Sequence, residues 1–456
     1  MQLASTTMLK HKFSIAAAFF SSVLFTSLNA QDNSPYSRYG LGNQYPRTNV
    51  ISRGMGGISA AYSDPFSVNY NNPASYAGFQ SYIEQRSRKV SQGRVILDAG
   101  INFDSRKLAE PNTTQSFRAN DFLFSHIYVG VPIRPNWGLA FGIRPVSRVA
   151  YNIYRRERLT NTGGGNIDSV FTQYTGNGGS FLPSIGTGFG TNNFSIGANV
   201  GYLFGKKELT TRRAFVNDSI EYAASNHTTN SNFGNLFFTV GSQLRIDIGR
   251  SALRLGASGN WKQTLGGSQD ISRYTYTRDV NGQELQVDSV SQQRDVAGDV
   301  IYPANYTVGL MFEHAPSERA RGWSLGVDYV TGKWDDFRFF GTKDLVQNNW
   351  EIRVGGQITP SFSAMQAGRM VSYRFGFFTG KDYIKVGDDL PVYGVSLGLG
   401  LPLRNYSRLT PQQTIINIGA EYMRRGNDDN AIKEDMFRIS LGFNFTDLWF
   451  GKRRYD

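Results

Sequence analysis

Along residues 392–401 apolar and small polar positions alternate without interruption. Tyr393, Val395, Leu397, Leu399 and Leu401 hold one phase, and Gly394, Ser396, Gly398 and Gly400 hold the other. Residues 437–446 do the same, with Phe437, Ile439, Leu441, Phe443 and Phe445 against Arg438, Ser440, Gly442, Asn444 and Thr446. The period of two returns at 95–103, 137–143, 196–204, 236–248, 306–312, 323–329, 352–358, 371–377 and 416–422. Strict alternation describes strands with one apolar and one polar face, so the pattern predicts an all-β chain.

The composition of the second face decides what the strands surround. A soluble sandwich would turn charged residues to water. Here that face is Gly, Ser, Asn and Thr with isolated charges, which suits a crowded polar lumen. Trp137, Trp323, Tyr329, Trp350, Tyr422, Trp449 and Phe450 stand at strand ends, as interfacial girdles do. In lipid every backbone group must find a partner, so a spanning sheet closes on itself. The expectation is a transmembrane antiparallel β-barrel. Beyond residue 79 the chain is long enough for about 12 to 16 strands of ~10 residues each. The polar stretches 106–120, 160–168, 218–232, 263–299 and 425–434 read as exposed loops, and 132–136 as a compact turn.

Composition agrees. There are 50 glycines in 456 residues, about 11% against the usual ~7%. Mean hydropathy is −0.36, and after residue 30 no run approaches the ~18 apolar residues of a spanning helix. The absence of cysteine excludes a disulfide scaffold, Cys-ligated metal, a thiol nucleophile and a lipid-anchored N-terminus. Lys10, His11 and Lys12 precede an apolar run, 15–28, that ends at Asn29-Ala30. This is the pattern of a cleaved signal peptide over residues 1–30. The expected division is therefore leader 1–30, an irregular segment 31–79 and a barrel 80–456.

The irregular segment carries the most specific motifs. Arg53-Gly54-Met55-Gly56-Gly57 leads to Asp64-Pro65 and then to Asn71-Asn72-Pro73-Ala74-Ser75, just before the first strand. Separately these are a flexible bend and a turn opener. In this order they resemble the FadL-type family of outer-membrane long-chain fatty acid transporters. Residues 34–42, SPYSRYGLG, are similar to its Bacteroidetes members. The resemblance is specific over residues 34–79 and architectural beyond.

It implies a 14-stranded barrel plugged by residues 31–79, with Asn72, Pro73 and Ala74 as the hatch motif and Gly54, Gly56 and Gly57 as plug glycines. The other reading of Asn72-Pro73-Ala74 is a turn that caps the barrel and touches no ligand. In that family hydrophobic molecules leave sideways where strand three is kinked. Here the third strand begins at Trp137 and carries Gly142 and Pro145. Proline cannot donate a ladder hydrogen bond, so this stretch predicts either a lateral-gate kink or the place where the strand ends.

Catalytic chemistry is sparse. His126, His227 and His314 are isolated in sequence, and the acidic pairs at 335–336, 388–389 and 428–429 have no histidine nearby. No catalytic residue, metal site or cofactor is expected. The charge of +12 falls to +10 without Lys10 and Lys12. It is scattered and lacks a nucleic-acid motif, so no nucleic acid is expected. It suits a leaflet of anionic lipopolysaccharide, and lumenal arginines suit a carboxylate. The implied function is passive uptake of a hydrophobic molecule such as a fatty acid. The alternative is a protein-docking barrel of type IX secretion, a role that FadL-like barrels also fill.

Overall fold

The computed structural model describes residues 34–83, 90–111, 116–160, 166–216, 222–279, 282–366, 370–403 and 412–449. The leader expected over 1–30 and the girdle residue Phe450 lie outside the described residues. Fourteen antiparallel strands form a closed wall. In chain order they are β1 (Val90–Ala109), β2 (Ser116–Arg134), β3 (Trp137–Thr160), β4 (Asn166–Gly190), β5 (Phe194–Val216) and β6 (Ala224–Ile248). β7 comprises Ser251–Asn260 and Gln263–Arg278, and β8 comprises Glu284–Tyr302 and Asn305–His314. The wall continues through β9 (Gly322–Gly332), β10 (Asn349–Thr359), β11 (Ser372–Val386), β12 (Asp388–Leu403), β13 (Gln413–Arg425) and β14 (Lys433–Trp449). Closure is by β14 on β1, in register from Lys433↔Ala109 to Trp449↔Gly93.

The alternation sets the two faces. On β12, Tyr393, Val395, Leu397 and Leu399 are exposed on the outside while Ser396 is 3% exposed. On β13 and β14, Asn417 and Asn444 are buried inside and hydrogen-bonded to each other at 2.7 Å. Trp137, Trp323, Tyr329, Trp350, Tyr422 and Trp449 are all outward and exposed. An apolar exterior rimmed by aromatics is what a lipid-facing wall requires.

Most of the turns at one end of the barrel are tight, such as Pro135-Asn136, where Asn136 takes φ 58°, and Gly249-Arg250. At the other end β3 to β8 rise far beyond the apolar band. This corrects the loop reading of 263–299, which is mostly two paired strand segments with register Gln263↔Tyr302 to Arg278↔Glu284. Likewise β1 runs to Ala109, β2 starts at Ser116 and β6 starts at Ala224. Beyond the lipid an outward residue no longer needs to be apolar, so the alternation fades although the backbone ladder continues. From 284 to 298 nearly every residue of β8 is exposed, on both faces.

Residues 34–79 run through the enclosed space, from the tall end to the short-turn end. A 3-10 turn, Pro35–Arg38, is followed by a two-residue strand, Asn43–Gln44. Helix α1 (Val50–Arg53) comes next, capped by the Asn49 side chain accepting from Ser52 N at 3.0 Å. A second 3-10 turn, Pro73–Gly78, then leads to the wall.

Candidate functional site

The lumenal segment fits because the wall lacks side chains where the two meet. A Cβ at Gly138 on β3 would overlap the Tyr76 carbonyl, and one at Gly188 on β4 the Pro73 carbonyl. Gly197 on β5 faces Pro73, Gly241 on β6 the Asn72 side chain, and Gly256 on β7 the Ala60 carbonyl. Gly355 on β10 and Gly376 on β11 meet the backbone of Met55 and Gly56. The glycine excess is thus in large part a belt around the inner wall.

Asn72 is fully buried where this belt is tightest. Its Nδ2 donates to the carbonyls of Ala60 (2.6 Å), Ser242 on β6 (3.2 Å) and Ala257 on β7 (3.4 Å). Its Oδ1 accepts from Ala74 N at 3.1 Å and caps the 3-10 turn that Pro73 opens. Gly54 packs against Gly398 on β12, 3.1 Å from a built Cβ. Gly56 and Gly57 take φ of 69° and 87°, a backbone that disfavours side chains. Gly56 N donates to Ser396 Oγ at 2.9 Å, and Arg353 on β10 donates to Gly57 O at 3.0 Å.

Two further anchors escaped the sequence reading. Asp328 on β9 accepts from Ser59 N (2.7 Å) and Ala60 N (2.9 Å). His126 is not isolated: its Nε2 lies 3.0 Å from Asp98 Oδ1, and its Nδ1 lies 3.0 Å from Ser125 Oγ. Asp98 also accepts from Val68 N, and Arg53 donates to Ser125 Oγ at 2.9 Å and Asn102 Oδ1 at 2.7 Å. This Asp-His-Ser row carries the residue types of a hydrolase. Yet His126 is fully buried, and the serine oxygen is engaged by Arg53. It ties segment to wall. Asp98 is 28 positions away in sequence, so only the β1–β2 pairing discloses it.

The wall is incomplete between β2 and β3. β2 and β3 pair only from Ile127↔Ile143 down to Arg134↔Trp137. Above that, β2 pairs with β1 alone, and the open edge of β3 is taken from inside by the two-residue strand, Asn43↔Arg148 and Gln44↔Ser147. Tyr45 N adds a bond to Val146 O at 3.0 Å, and Ser34 N one to Ala150 O at 3.2 Å. An ion pair crosses the opening, Arg148 Nε to Asp121 Oδ2 at 3.3 Å.

Gly142 and Pro145 sit at this seam. Pro145 lies two residues past the last pair with β2, and the register on β4 shifts between Pro145 and Ser147. At Gly142 a Cβ would stand 2.6 Å from the Tyr128 ring. Its absence lets Tyr128 pass inward and bond Ser184 Oγ on β4 at 2.9 Å. Tyr70 stacks on Tyr128 at 4.7 Å, within an apolar cluster that includes Val68, Tyr76 and Phe79.

Towards the tall end the lumen is capped by another apolar cluster, in which Tyr36 and Leu41 pack with Trp334, Phe337, Tyr302 and Tyr383. Burial pushes the Tyr36 hydroxyl up to about 12 against the pull of Arg425. It therefore stays protonated and donates to Ile432 O at 2.7 Å. Between the two apolar clusters lies a polar cavity rich in arginine. No group of His, Asp or Glu fit to hold a metal exists among the described residues.

Fold and site together define a transmembrane β-barrel with a segment threaded through its lumen and an unzipped seam. The chain belongs to the BamG family, whose model matches residues 8–456. No curated protein matches it. Similar solved structures include the CymD monoaromatic hydrocarbon channel, 13% identical over 89% of this chain and 98% of that one, with TM-score 0.51. A Pseudomonas aeruginosa FadL homologue is 14% identical over 91% and 100%, with TM-score 0.49. The Ralstonia pickettii toluene transporter TbuX is 14% identical over 89% and 99%, with TM-score 0.48. The likeness to CymD is one of fold.

Proposed function

We propose that the protein is an outer-membrane channel for passive uptake of hydrophobic small molecules, long-chain fatty acids among them. Residues 31–79 act as its plug, with Asn72, Pro73 and Ala74 holding the hatch to the wall and Gly54, Gly56 and Gly57 shaping its bend. A molecule enters at the tall, extracellular end through the cluster around Trp334 and Tyr383. It leaves sideways into the membrane between β2 and β3, at Gly142 to Pro145, when the segment shifts. The observation that carries this reading is the ladder that stops at Ile127↔Ile143 and is closed above only by the lumenal strand. An edge closed by a few hydrogen bonds and one ion pair opens far more readily than a full ladder. That CymD is described as a hydrocarbon channel supports it. The net positive charge of the chain suits lipopolysaccharide as the surrounding leaflet.

The test is uptake of labelled oleate by Gram-negative cells that lack their own fatty-acid channel. Expression of this chain should raise uptake several-fold, with no change for a polar solute of similar size. Uptake equal to cells without it contradicts the channel.

One observation favours a second reading, a docking barrel such as a secretion-system accessory. The upper hairpin of β7 and β8 stands clear of the lipid. From 284 to 298 the outer edge of β8 has no neighbouring strand among the described residues. An open edge is a place where an extended partner adds a strand. A stable co-purifying protein, in cells where oleate uptake is unchanged, would support this reading.

A further inference from the structure

Beneath the apolar cap the lumen holds a cavity of about 200 Å³, set between residues 43–48 and the inner faces of β10, β11, β13 and β14. Its charged lining divides in two. The wall arginines are matched. Arg353 lies 2.7 Å from Glu351, Arg425 2.9 Å from Asp382, and Arg438 2.6 Å from Asp104. The arginines supplied by the lumenal segment are not. Neither Arg47 nor Arg53 forms an ion pair with any described carboxylate.

Arg47 Nη2 donates only to neutral oxygens, of Gln44 (3.4 Å), Tyr302 (3.3 Å) and Asn305 (3.0 Å). Arg53 gives its two Nη groups to Asn102 and Ser125, and its Nε has no partner. Asn43 Nδ2 and Gln44 Nε2, in the same lining, are also without a partner. Arg53 is 4% exposed and Asn43 6%. A buried guanidinium without counter-charge is costly, and an unpaired buried donor adds to the cost. Two cations without an ion pair line this space, and three idle buried donors lie on its lining residues; they share a single chemical complement, a negatively charged group with several acceptor oxygens.

We propose that this cavity binds an oxyanion, the carboxylate or phosphate of a small hydrophilic molecule. Arg47 and Arg53 supply the charge, and the amides of Asn43 and Gln44 supply further donors. Planar guanidinium forks suit either group. Because Arg47 and the Asn43–Gln44 strand move with the segment that covers the β2–β3 edge, an occupied site holds that cover in place. The site does not require a hydrophobic route, so a failure of oleate uptake leaves its expectation standing.

The test is calorimetric titration of the full chain in detergent micelles, at low salt, with inorganic phosphate and separately with succinate. Saturable binding of either is expected, weakened about tenfold or more by Arg47→Gln and by Arg53→Gln. Binding of one anion alone assigns the group. Heat-dependent gel mobility checks that each variant is a folded barrel. Gln44→Leu, which keeps every charge and removes one donor, should weaken binding several-fold where an arginine variant does not fold. No saturable binding of either anion, or binding unchanged in all folded variants, overturns the proposal.

Discussion

Asn72 concentrates at one residue what holds segment to wall: three donated bonds, one accepted bond and no room beyond its own amide, since Gly241 across from it has no space for a side chain. Asn72→Ala leaves buried carbonyls short of a donor, a loss on the order of 1–3 kcal/mol. The wall should stay intact while the segment loosens. Limited trypsin digestion at Arg47 and Arg53 should therefore quicken several-fold without loss of heat-dependent mobility, and an unchanged rate contradicts the anchoring role. Gly355→Val tests the packing of segment on wall at a second point, because its side chain would occupy the place of the Met55 carbonyl. Protease access should again rise in a barrel that still forms. The motif Asn-Pro-Ala was legible because three residues in a row carry it. The Asp98–His126–Ser125–Arg53 row was not, because its members are scattered through the sequence and meet only through strand register.

At the scale of elements the strands were legible wherever one face meets lipid. The pattern failed at Gln263–Arg278 and Glu284–Tyr302, which rise beyond the lipid, so that polarity no longer reports secondary structure although Leu265, Tyr276, Val300 and Tyr302 are buried. The third strand was read with its breaker in place, since Pro145 cannot donate to a ladder. What one strand could not disclose is that above Ile127 its neighbour β2 pairs with β1 alone, or that Asn43–Gln44 replaces it. Pro145→Val returns a backbone donor beside the shifted register. If the proline keeps this edge open, the variant should lower oleate uptake at least threefold, whereas uptake equal to the parent would mean that the opening does not depend on it. Asp121→Asn removes the Arg148–Asp121 ion pair across the gap. Asp121 is buried and Arg148 part-exposed, so the loss exceeds that of a surface pair, on the order of 1–3 kcal/mol, and uptake should rise several-fold.

The whole molecule is a barrel of unequal height whose interior is layered. An aromatic cap closes the tall end, an arginine-lined cavity follows, and a second apolar cluster lies beside the seam. Residues 34–79 touch all three layers, so displacing that segment is the one motion that would connect them. The glycine belt explains how so much backbone fits inside.

If hydrophobic molecules leave where this segment covers the β2–β3 edge, locking the cover should stop them. The chain has no cysteine, so Gln44→Cys with Ser147→Cys introduces a single disulfide. The two residues are paired between hydrogen-bonded neighbours, a spacing of about 4.5 Å between Cα atoms that a disulfide spans. Oleate uptake should fall to background in the oxidised double variant and return on reduction, with either single variant active throughout. Full uptake by the oxidised, fully cross-linked protein would contradict this exit route.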